Sequence, residues 1–126
     1  MRTFLTALIA VHGLIHLMGV FKAFGLAELP QLSQPISRGV GGLWLLAGVT
    51  LLVAGVMATT HPRIWWVPVF AGVLLSQAVI FSSWSDARFG TLANIMVAAF
   101  ALYAFAAEGP FSLRSEYRRE VGDRIQ

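Results

Sequence analysis

Read for polarity, the chain divides into four long apolar runs separated by short polar punctuation. From Phe4 to Phe21 only Thr6, His12 and His16 interrupt the apolar character. A hydrocarbon layer of about 30 Å needs roughly 20 apolar residues per helix. The stretches Thr3 to Phe21, Val40 to Ala58, Ile64 to Ser83 and Thr91 to Ala107 reach or approach that length. The predicted fold is all-α: a four-transmembrane-helix antiparallel bundle over residues 1-110, whose short links favour up-down neighbours. His61-Pro62 should end the second helix, Pro68 falls in the first turn of the third, where a missing amide costs little, and WSDARFG forms a tight third link. Residues 24 to 36, FGLAELPQLSQPI, carry Pro30 and Pro35 with Leu26, Leu29 and Leu32 at threefold spacing, which predicts a short interfacial helix or cap over a pocket after helix 1. After Gly109-Pro110 the chain turns polar, and Leu113, Tyr117 and Val121 at i, i+4, i+8 predict a C-terminal cytoplasmic surface helix over residues 111-126.

Composition strengthens the membrane reading. Of 126 residues, 57% are hydrophobic and 12% charged, whereas a soluble domain carries about 25% charged residues. The absence of cysteine excludes disulfides, thiolate metal sites and iron–sulfur clusters. The net charge of +3 comes from nine scattered Lys and Arg residues, with no basic block interleaved with aromatics, which excludes nucleic acid as a partner. Arg2 before an apolar run resembles the start of a signal peptide. The run is long, holds two histidines and lacks a small-residue cleavage site, so it is expected to stay attached.

Charge also orients the bundle. Arg2, Arg63, Arg114, Arg118, Arg119 and Arg124 fall on one side and Lys22, Arg38 and Arg88 on the other. This split places both termini in the cytoplasm of a bacterial inner membrane. Trp65 and Trp66 are then expected in the cytoplasmic aromatic belt and Trp84 in the outer one. Helix association in lipid rests on close backbone approach and interhelical hydrogen bonds. Gly41, Gly48 and Gly55 repeat every seven residues, and Thr91, Asn94, Ala98 and Ala101 share a narrow face. Both faces are expected to pack helices, and the glycine face and the tail to receive other membrane subunits.

Polarity inside the spans is lopsided. At 1.5 Å rise per residue, His16 lies about 8 Å, Gln77 about 9 Å and Asn94 about 6 Å below the outer ends of their helices. His12 lies one turn deeper, on the face shared by Leu5, Ile9, His16 and Gly19. Lys22, Arg38, Asp86 and Arg88 sit above this level, and the inner half offers nothing comparable except Glu108 at its rim and Thr50 and Thr59 in the second span. Such a concentration is a candidate site for a cofactor or ligand held by His12, His16, Gln77, Asn94 and Asp86, with Lys22 or Arg38 contacting an anionic headgroup. The same residues also serve as interhelical glue in the plainer reading.

The spacing HxxxH puts two nitrogens on one helix face, as metal ligation by His12 and His16 requires. The zinc-protease version needs a glutamate beside the first histidine, where this chain has Gly13. A third ligand must come from Asp86 or a second molecule. Two histidines on one helix cannot supply both axial positions of one haem, and a five-coordinate haem or a magnesium tetrapyrrole remains open.

The segments HGLIHLMGVFKAFGL, PISRGVGGLWLLAG, LSQAVIFSSWSDARFGTLANI and YRREV resemble a family of uncharacterised bacterial four-helix integral membrane proteins, and more loosely DoxX-like proteins. The resemblance implies that His12, His16, Lys22, Gln77, Asp86, Gly90 and Asn94 belong to a family pattern and that longer relatives continue into a water-soluble domain. It implies no reaction. No hydrolase elbow, phosphate loop or dinucleotide fingerprint is present, so no residue is assigned a catalytic role. The expected function is a non-catalytic integral membrane subunit or small-molecule-binding module, such as an accessory subunit of a respiratory or photosynthetic complex. Lipid, quinone, tetrapyrrole or metal are its candidate ligands. The alternative is a membrane enzyme or redox carrier that uses His12 and His16 to bind metal, haem or quinone. A transporter would need a continuous polar path, which the apolar inner half does not provide.

Overall fold

A computed structural model describes residues 2–61 and 63–125. Pro62, expected in the turn after the second helix, lies outside them. All regular structure among the described residues is helical: α1 (Arg2–Ala23), α2 (Arg38–Thr60), α3 (Trp66–Ser82), α4 (Trp84–Ala87), α5 (Gly90–Glu108) and α6 (Leu113–Ile125). Three helices, α1, α2 and the one beginning at Gly90, are long and apolar enough to cross a membrane by length and composition. α3 has 17 residues, about 25 Å of helix. It starts later than expected because the amides of Ile64 and Trp65 turn back onto the His61 carbonyl, at 3.3 and 3.2 Å.

Local chemistry sets the ends that shape the site. α1 stops at Gly25, whose φ of +66° is the left-handed conformation that glycine adopts without a Cβ penalty. The Gly25 amide bonds Lys22 O at 3.2 Å and the Leu26 amide bonds Phe21 O at 2.8 Å, the paired closure of a Schellman motif. No helix forms between Ala23 and Arg38, so the expected interfacial helix is instead an irregular cap. Pro30 and Pro35 remove two amide donors from this segment, which disfavours helix. α2 restarts where Ser37 Oγ accepts from the Val40 amide at 3.2 Å, an N-cap.

Polarity is arranged inside out. Large apolar side chains stand exposed on every long helix, among them Phe4, Val11 and Leu14 on α1, Val56 on α2, Leu74 and Phe81 on α3, and Leu92 and Ile95 on α5. So much exposed apolar surface suits a lipid surround. Inside, α1 packs on α2 and α5, and α3 packs on α2 and α5. Two apolar clusters occupy the interior. One, nearer the chain termini, is built from Leu5, Ile9, Leu51, Val69, Val97 and Ala101. The other, towards the cap, holds Val20, Trp44, Ala47 and Val79.

Two expectations change. The heptad glycines of α2 face α1 of the same chain: a Cβ on Gly48 would stand 3.1 Å from Gly13 O and 3.2 Å from His16 Cβ, and one on Gly41 would collide with Ala23. That surface is therefore covered and does not await another subunit. Trp65 is 2% exposed, inside the apolar cluster, with the Arg2 guanidinium 5.9 Å from its ring centre, so it lies in the core and outside any aromatic belt. Trp84, by contrast, is exposed. On α5 the interior face runs through Asn94, Val97, Ala101 and Ala104, leaving Ala98 half-buried.

Candidate functional site

A buried polar layer separates the two apolar clusters. His12 and His16 are 3% and 2% exposed, Ser76 is fully buried and Asn94 is 3% exposed. Their hydrogen bonds form a chain across three helices. Gln77 Nε2 donates to Thr91 Oγ1 at 3.1 Å, and Asn94 Nδ2 donates to Gln77 Oε1 at 3.0 Å. Asn94 Oδ1 is left to accept from His12 Nε2–H at 2.8 Å, with Ser76 Oγ 3.1 Å from the same nitrogen. Every one of these contacts joins α3, α5 or α1 through polar groups that lipid could not satisfy, so the layer ties these helices together.

His16 stands outside this chain. Its Nδ1 lies 3.1 Å from the His12 backbone oxygen, and a carbonyl only accepts, so Nδ1 carries the proton. The neutral ring therefore presents a bare lone pair at Nε2. That nitrogen is buried without a protein partner, and so is the indole Nε1 of Trp44. The imidazole and the Trp44 ring are 5.3 Å apart between centroids, and the two imidazoles are 4.9 Å apart, edge to face.

These side chains line a cavity of about 340 Å³ at the end of the bundle opposite the chain termini. His12, His16, Trp44, Ile80 and Gly90 form its walls, and Gln31, Leu32, Asp86 and Phe89 its rim. Its volume is at the lower end of the roughly 300–1,000 Å³ typical of ligand pockets, a space suited to a compact head. The cap closes over it because Asp86 holds it: Oδ1 accepts from Ser33 Oγ at 2.6 Å and Oδ2 from the Gln34 amide at 2.8 Å. Those donors, the Gln34 amide foremost, keep the Asp86 carboxyl below the usual carboxylate range, with Lys22 contributing nearby positive charge. Leu32, buried beside this clamp, fills the space between cap and bundle.

Of the residues expected at a site, His12, His16 and Asp86 reach the cavity, while Gln77 and Asn94 stand behind it and orient His12. Asp86 grips the cap and orients neither histidine. Lys22 borders a shallow groove under the cap, and Arg38 is exposed and does not line the cavity. This chain by itself does not assemble the three-donor metal set of His12, His16 and Asp86. His12 Nε2 faces Asn94 and Ser76, both Asp86 oxygens accept from the cap, and among the described residues no group of three His, Cys, Asp or Glu could hold an ion.

Ser76 and Trp44 were not expected. Ser76 was legible as the polar neighbour of Gln77 on α3, four residues after Gly72. Trp44 lies three residues after Gly41 and four before Gly48, on the same helical face, so the glycine groove pointed at it. No family model, curated protein or solved structure matches this chain.

Proposed function

We propose that this chain is a four-span, antiparallel integral membrane module of the bacterial inner membrane that binds a small amphiphile and catalyses no reaction of its own. The observation that carries the reading is the cavity: His16 and Trp44, whose Nε2 and Nε1 are buried without partners, line a space of about 340 Å³ next to the buried polar layer. α3 is short for a span, but the turn from Ile64 lengthens the segment before it. Arg2, Arg114 and Arg118 meet around a second hollow at the end that holds the termini, which supports a cytoplasmic position for that end. The cavity then opens in the outer half of the bilayer, where lipids and lipid-soluble molecules can enter.

The residues that carried the family resemblance support the same reading, because His12, His16, Asp86 and Gly90 border the cavity and Gln77 and Asn94 buttress it. Assembly with other membrane subunits falls to α6, which exposes Leu113 and Tyr117. The test is to purify the full chain in a mild detergent, reconstitute it in lipid nanodiscs and analyse it by native mass spectrometry. A retained or exchangeable small amphiphile of defined stoichiometry is expected. A protein that retains nothing and takes up no small apolar compound refutes the proposal.

A further inference from the structure

Two neighbouring side chains of the cavity wall carry one unsatisfied donor and one unsatisfied acceptor. Trp44 Nε1–H can only donate. His16 Nε2 can only accept while the ring is neutral, because its Nδ1 proton is committed to the His12 carbonyl at 3.1 Å. Both atoms are buried and unpaired, both side chains line the same cavity, and their rings are 5.3 Å apart. Buried polar groups in native proteins are paired, and an orphan carries the full desolvation penalty.

Resting on the binding-module reading above, we infer that the ligand is a neutral alcohol or phenol on a compact apolar skeleton, its hydroxyl hydrogen donated to His16 Nε2 and its oxygen accepting from Trp44 Nε1–H. One oxygen atom then satisfies both orphans. A ketone, quinone or ether accepts from Trp44 and leaves the imidazole lone pair bare. A carboxylate brings an uncompensated charge, since the acid at the rim, Asp86, is itself anionic and clamped to the cap. An ammonium can donate to His16 and offers nothing to the indole. Among the other lining residues, Ile15, Met18, Leu32, Ile80 and Phe89 are apolar and suit a ring system or a short branched chain. Water meets the same hydrogen-bond requirement, so the hydroxyl ligand replaces it one for one while its skeleton covers the walls.

The test uses the full chain in nanodiscs with three probes of one shape: 4-cyclohexylphenol, its methyl ether and cyclohexylbenzene. Binding is measured by calorimetric titration, with empty nanodiscs subtracted. The phenol should bind about tenfold or more tightly than the ether, and Trp44→Phe and His16→Phe should each erase that preference. Because these variants can perturb packing, nitrogen-15 spectra of the wild-type protein supply an independent readout. The phenol should move both the Trp44 indole N–H signal and the His16 Nε2 signal, and the ether only the first. Equal binding of phenol and ether overturns the hydroxyl assignment while leaving a binding module in place. Failure of all three probes, with water the sole occupant, overturns both.

Discussion

Gly19 is the position at which a single methyl group tests the architecture of the site. A Cβ added there would fall inside the Trp44 indole, against Cγ, Cδ2 and Cε3. These atoms belong to the rigid root of the ring, so the side chain cannot bend aside at its tip. It must change rotamer or push α2 away from α1, and overpacking of this kind costs about 1–3 kcal/mol. Replacing glycine by alanine in a helix gains about 0.5–1 kcal/mol in propensity, so Gly19→Ala should lie between neutral and about 2.5 kcal/mol destabilised. Gly42, on α2 with no atom within 4 Å of its would-be Cβ, isolates the propensity gain. Gly42→Ala should be slightly stabilised, leaving the two variants about 1–3 kcal/mol apart. Unfolding in mixed dodecyl sulfate micelles, followed by circular dichroism, reads this difference directly. If Gly19→Ala proves as stable as Gly42→Ala, the close approach of α1 to Trp44 is wrong, and the wall of the cavity with it.

Asn94→Leu removes the acceptor of His12 and the donor to Gln77. At about 0.6–2 kcal/mol per interhelical hydrogen bond, the loss should be about 1–4 kcal/mol, whereas Ser76→Ala, which shares its partner with Asn94, should lose under about 1 kcal/mol. Equal unfolding midpoints for Asn94→Leu and the wild type would contradict the network. The Asp86 clamp has a defined pH dependence. Its carboxyl is lowered on folding, chiefly by the Gln34 amide, so its stabilisation is complete above the unfolded value of about 3.9 and disappears as pH falls through the lower folded value. The Gln34 amide resonance should titrate with a midpoint under the ordinary carboxylate range, and a midpoint at or above it would refute the clamp. Arg2 and Glu108 pair at 3.0 Å with side chains 35% and 43% exposed. Glu108→Gln should therefore change stability by less than about 1 kcal/mol, and less still at high salt; a larger loss would mean the pair is shielded from water.

Much of this was legible in the chain because lipid simplifies the code. A helix bounded by apolar residues must satisfy its own backbone, so length and hydropathy alone mark α1, α2 and α5. His12, His16, Gln77 and Asn94 stood out for the same reason, as polar groups that hydrocarbon leaves without partners. What escaped was anything decided by rotation of one helix against another. The glycine heptad of α2 announced a close approach without saying whether the neighbour belonged to the same chain, and α1 supplies it through Gly13 and His16. Trp65 reads as an interfacial anchor by position, yet the turn on the His61 carbonyl swings it inward onto the cluster of Leu5 and Val69. The cap defeated helix periodicity because Pro30 and Pro35 interrupt its row of leucines, with Pro30 directly after Leu29, and its real anchor, Asp86, is more than fifty residues away in sequence.

The bundle is held by two different adhesives, and the cavity arises where they part. α1 meets α2 through glycines, a contact that needs no polar group, while α1 meets α3 and α5 through His12, Ser76, Gln77 and Asn94. Between apolar helices in lipid, burying more leucine would gain little, so each contact relies on shape or on hydrogen bonds. One helical turn beyond His12 no side chain of α3 or α5 hydrogen-bonds to α1 among the described residues, and the glycine face of α2 is interrupted by Trp44. His16 sits at that point. Its Nδ1 proton goes to the backbone carbonyl of His12, one turn back, which leaves the His16 Nε2 lone pair bare. The two imidazoles are 4.9 Å apart, edge to face, so a substitution that frees the His12 ring should also alter what His16 presents to the cavity, although the two residues face different partners.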